Sequence, residues 1–115
     1  MTDLNQRLVE IELRLNELYE AWNHAWKADD AAAMNRINGE FAAQKELIAD
    51  TIVEAHTSEL SVVRDAALKL LIRHTGEHKG YAKYREIAER LSALKIFTRA
   101  YLMERVKEGP MGRWL

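Results

Sequence analysis

Between Leu4 and Ala25, the apolar residues Leu4, Leu8, Ile11, Leu15, Leu18, Trp22 and Ala25 follow one another at alternating steps of four and three. Only a helix gathers such positions onto one face. A turn takes 3.6 residues, so these steps return to nearly the same angle, whereas a strand would scatter them over both sides. The spacing predicts a helix over about 3–27 with a coiled-coil-like seam that needs a second helix, from the same chain or from another copy. Tyr19 and Trp26 widen the stripe beyond a two-stranded seam and favour a multi-helix bundle. Val9 and Leu13 fall on the far side, either as ordinary exposed residues or as a second contact surface.

The rest of the chain repeats the pattern. Asp29 and Asp30 are suited to cap a second helix over about 31–56, with Met34, Ile37, Phe41, Ile48, Ile52 and Ala55 on its seam. Gln44 interrupts that seam, and Asn38-Gly39 is a turn dipeptide expected to kink or split the helix. Thr57 and Ser58 are candidate caps for a third helix over about 59–74. It is the most uniformly apolar of the set and is expected to be the most buried. Thr75 to Gly80 reads as a loop, with glycine at 76 and 80. A fourth helix is expected over about 81–108, carrying Tyr84, Ile87, Leu91, Leu94, Thr98 and Tyr101 on one face, with Gly109-Pro110 stopping it and residues 109–115 left as a tail. The fold class is therefore all-α: one domain over 1–108, either a four-helix antiparallel bundle or helical hairpins completed by dimerisation.

Composition removes several function classes. The chain has no cysteine, which excludes disulfides, thiolate nucleophiles and cysteine-based metal sites. No apolar run reaches the roughly 18 residues needed to cross a bilayer. The opening residues lack the basic start and apolar middle of a secretion signal, so a cytoplasmic protein with no membrane role is expected.

A net charge of −1 conceals a polar molecule. Residues 1–30 carry 3 basic and 7 acidic side chains, residues 31–60 carry 2 and 5, and residues 61–115 carry 12 and 6. The basic C-terminal half alternates cations with aromatics, which suits a phosphate backbone, and Lys79, Lys83 and Arg90 share one helical sector. Glu86, Glu104 and Glu108 fall in or beside that sector. The competing reading is charge complementarity within a bundle or between subunits.

The densest polar cluster is Arg73-His74-Thr75-Gly76-Glu77-His78. His74, Glu77 and His78 follow the His-x-x-Glu-His order of inverzincin peptidases, but a loop with two glycines does not present two ligands from one helical turn, and no third ligand is evident. No metal or other cofactor is expected. Arg73 and His78 also resemble the Arg-x4–6-His motif of HEPN ribonucleases, small all-helical domains that often dimerise. The resemblance covers six residues. It implies metal-independent RNA cleavage, with His78 in acid–base work and Arg73 stabilising the pentavalent phosphate.

Phosphate-binding loops, nucleophile elbows and di-iron ligand pairs are absent from the sequence. The leading expectation is a non-enzymatic helical interaction protein, an adaptor, scaffold component or inhibitor of the kind common among bacterial and phage accessory proteins. Its expected contact residues are Val9, Leu13, Phe97, Arg113 and Trp114, the last two in a tail rich in interface-type residues. The first-helix seam with its two tryptophans also predicts a homodimer, in which Arg7 and Glu12 are placed to pair between parallel chains.

Overall fold

Aspartates start the first two helices, as their capping chemistry requires. In the computed structural model, which describes residues 3–78 and 80–108, Asp3 accepts hydrogen bonds from the Asn5 and Gln6 amides, and α1 runs Leu4–Lys27. Asp30 accepts from the Ala33 amide at 3.1 Å, and α2 runs Ala31–Thr57. They are followed by α3 (Ser61–His78), α4 (Tyr81–Ala93) and α5 (Arg99–Glu108). The described residues contain no strand, so the chain is all-α.

Three turns share one geometry, and it is not signalled by glycine. Asp29, Glu59 and Lys95 each adopt a left-handed backbone, with φ of 54°, 59° and 60°. In each turn the next amide reaches back five residues: Asp30 N to Ala25 O, Leu60 N to Ala55 O, and Ile96 N to Leu91 O. These bonds satisfy carbonyls that a helix end leaves without partners. A side chain in this backbone region costs about 1–2 kcal/mol, which is why glycine usually holds it. The third of these turns splits the helix predicted over 81–108 into α4 and α5, with the Thr98 hydroxyl accepting from the Tyr101 amide to start α5.

The glycines themselves lie elsewhere. The loop predicted from Thr75 is instead the last turn of α3, which passes through Gly76 to His78. Likewise α2 runs through Asn38-Gly39 without a break, and a Cβ at Gly39 would meet nothing within 4 Å. A helix tolerates one such glycine at about 1 kcal/mol, so glycine alone does not end it when packing on either side is favourable. Thr57 ends α2 rather than capping α3, and its hydroxyl donates to the Val53 carbonyl.

The α1 seam packs inside the chain. Leu4, Ile11, Leu15, Leu18 and Ala25 are buried, while Leu8 and Trp22 are half-buried against the same core. They meet α2 and α3. Trp26, expected to widen the stripe, is 63% exposed. Arg7 pairs with Glu54 and Glu12 with Arg73, so the two residues expected to pair between chains each pair within this one.

Seven residues of the 18-residue α3 are buried, a larger share than the eight of 27 in α2, as the apolar composition of α3 predicts, while α2 contributes the longer buried stripe. Packed against α1, α3 and α4, it seals Ile48, Ala49, Thr51, Ile52 and Ala55 completely. On α3 only one face is sealed, through Val63, Ala67, Leu71 and neighbours, and Val62 is 82% exposed. α3 touches all four other helices through that face, and its outward apolar residues stay exposed. Tyr84, Ile87 and Leu91 face inward as predicted. The turn at Lys95 rotates the rest of that stripe, so Leu94, Thr98 and Tyr101 are exposed while Leu102 and Val106 turn into the core. The buried Tyr84 hydroxyl donates to the Leu102 carbonyl at 2.5 Å and ties α4 to α5.

Candidate functional site

The polar cluster of α3 faces α1 across a cleft of about 210 Å³, lined by Glu12, Asn16, Tyr19, Arg73, His74 and Glu77. His74 is fully buried, with Nδ1 2.7 Å from the Tyr19 hydroxyl. Their rings lie 5.8 Å apart, and Phe41 of α2 packs on both, at 5.5 Å from Tyr19 and 5.1 Å from His74. Burial, reinforced by the Glu77 carboxylate, pushes the Tyr19 phenol well above its ordinary range. Tyr19 therefore stays a neutral phenol. Arg73 Nη2 lies 2.7 Å from Glu12 Oε1, and this hydrogen bond raises the Arg73 pKa. Tyr19 with His74, and Glu12 with Arg73, thus pair across the α1–α3 contact.

This placement bears on both motifs read in the cluster. On a continuous helix, Arg73 and His78 are five steps apart, about 140° around the axis, so they do not share a face. The His78 side chain lies outside the described residues. His74 and Glu77 do stand on a helix, contrary to the loop expected there, but His74 is engaged with Tyr19 inside the core. Among the described residues no group of three potential metal ligands gathers.

The candidate phosphate-binding cations are engaged by acids of α2. Lys83 Nζ lies 2.5 Å from Glu46 and 3.3 Å from Glu86, and the Glu46 hydrogen bond raises its pKa. Arg90 meets Asp50 at 2.9 Å and Glu46 at 3.6 Å. The basic C-terminal half and the acidic N-terminal half thus pair with each other at these positions. Lys79 lies outside the described residues, as do Arg113 and Trp114.

One buried cation escaped the sequence reading. Lys45 of α2 is only 3% exposed, and its Nζ reaches the Gly80 carbonyl at 3.3 Å, at the start of α4. A Cβ at Gly80 would stand 1.6 Å from that Nζ, so glycine is what admits the ammonium. Burial, with the Lys83 charge nearby, lowers the Lys45 pKa to about 8. Its position, four residues after Phe41 and three before Ile48, already places it on the α2 seam.

Of the expected contact residues, Val9 and Leu13 are exposed on α1. Phe97 is half-buried in the α4–α5 turn rather than on a helix. Its ring stacks on Tyr101 at 5.6 Å, with the Arg64 guanidinium 5.2 Å from it and that of Arg105 4.5 Å from Tyr101. These side chains line a groove of about 410 Å³ between α3 and α5, with Leu68 and Ile72 also lining it and Asp65 and Lys69 beside them. The sequence holds its two halves separately, cations among aliphatic residues within 64–72 and cations among aromatics within 97–105. Only the break at Lys95 sets them against each other.

No family model matches the chain, and neither the curated proteins nor the solved structures contain a match.

Proposed function

We propose that this chain is a non-enzymatic helical module that binds a partner protein through the α3–α5 groove. In this reading the helices form an antiparallel bundle complete within one chain, and outer surfaces rather than the α1 seam make external contacts. The observation that carries the proposal is the stacked Phe97–Tyr101 pair held between two arginines at the edge of an open groove. Aromatic and arginine side chains on rigid elements supply contact area at low entropic cost and dominate protein interfaces. The cleft at Arg73 supports the reading indirectly, since its polar groups hold α1 to α3.

The test is affinity capture of the tagged protein from the cell that encodes it, after nuclease treatment, in parallel with the Phe97→Ala/Tyr101→Ala double variant and a Val9→Ser/Leu13→Ser variant. A stoichiometric protein partner should be retained by the wild type and the α1 variant but lost by the groove variant, with helicity unchanged. Retention by the groove variant, or loss of the partner on nuclease treatment, would refute the proposal.

A further inference from the structure

We infer that the α3–α5 groove recognises an acidic segment of its partner, one in which carboxylates alternate with apolar side chains; this rests on the proposal that the groove is a protein-docking site. Three cations, Arg64, Lys69 and Arg105, line the groove against one carboxylate, Asp65. Arg64 Nε already holds Asp65 at 3.1 Å. The sign of the groove is therefore set by Lys69, which has no ion-pair partner among the described residues. Between these cations lies apolar surface from Leu68, Ile72, Phe97 and Tyr101. A ligand that fills it has apolar groups facing the floor and carboxylates at the rim, where guanidinium and ammonium groups meet them with charge-assisted hydrogen bonds.

The same features disfavour a nucleic acid. From Arg64 to Ile72 the α3 stripe spans nine residues, about 12 Å of helix, too short to follow a phosphate backbone over many contacts. Each ring is stacked on the other and has a guanidinium over it, which is not an open platform for a base. Lys83 and Arg90, the cations expected to grip a phosphate backbone, are held by Glu46 and Asp50 of α2.

The experiment is fluorescence anisotropy on the full chain with four labelled probes: a short peptide alternating glutamate and leucine, the same peptide with glutamine or with lysine for glutamate, and a single-stranded oligouridine. The acidic peptide should bind at least tenfold more tightly than the glutamine and lysine peptides and the RNA, and its affinity should fall as salt rises. Lys69→Glu should weaken the acidic peptide at least fivefold and leave the glutamine peptide unchanged, while Tyr101→Ala should weaken both; thermal melts of the variants establish that they fold. Equal binding of the acidic and glutamine peptides, with loss in Tyr101→Ala, overturns the inference while leaving the groove a docking site. Tighter binding of the RNA, or no binding of the acidic peptide, also overturns it, and the capture experiment then decides the docking proposal independently.

Discussion

Lys45 destabilises the fold it is buried in, and replacing it with methionine removes that cost while nearly preserving its volume. A solvated lysine titrates at 10.5 and Lys45 in the fold at about 8, a gap worth about 3 kcal/mol of lost stability wherever both states would otherwise be charged. The hydrogen bond to the Gly80 carbonyl returns about 1 kcal/mol. Lys45→Met should therefore be more stable than the wild type at pH 7 by about 2–3 kcal/mol, a rise of roughly 10 °C in melting temperature for a domain of this size. The sign of the pH dependence follows from proton binding. Between pH 8 and 10.5 the unfolded chain holds a proton on Lys45 that the folded chain has released, so the wild type gains stability as pH rises through that window. The variant lacks this gain, and its advantage should disappear by about pH 10.5. Urea unfolding followed by far-ultraviolet circular dichroism at pH 7, 9 and 10.5 measures the difference directly. A variant less stable than the wild type at pH 7, or an advantage that does not change with pH, would refute the reasoning.

Other substitutions probe the junctions between helices. Gly80→Ala would put a Cβ against the Lys45 Nζ and push the ammonium off its carbonyl, so a double-mutant cycle should show it costing about 1 kcal/mol more with Lys45 present than in a Lys45→Ala background. Lys95→Gly relieves the left-handed strain in the α4–α5 turn and should raise stability by about 0.5–1 kcal/mol in thermal melts, less than the full backbone strain because glycine also adds freedom to the unfolded chain. Tyr19→Phe keeps the ring against Phe41 but leaves the buried His74 Nδ1 without its hydroxyl, a loss of about 1–3 kcal/mol by urea unfolding.

Much of the fold was legible because amphipathic helices announce themselves locally. The α1 seam, the Asp3 and Asp30 caps and the inward face of α4 all follow from residue spacing within a few turns. The helix ends were less legible. Glycine at 39 and 76 suggests a break where α2 and α3 continue, and Glu59 and Lys95 carry left-handed turns with no compositional mark. Whether a chain reverses at such a residue depends on what the following helix gains by packing, which outweighs a local backbone cost of about 1–2 kcal/mol.

The candidate sites divide in the same way. The sequence exposed Arg73, His74 and Glu77 as a polar cluster and Phe97 as an aromatic among cations, because those features lie within a few residues of one another. It concealed the Tyr19–His74 pair, 55 residues apart, and the groove in which Phe97, Tyr101 and Arg105 meet Arg64 and Lys69. Residue order alone determined that this chain is helical and which stripe of α1 turns inward, since a 3.6-residue period is local information. Tertiary structure decided where the helices end, which cations are neutralised by α2 and which remain on a groove, because those outcomes depend on how helices distant in sequence are set against each other at the junctions between them.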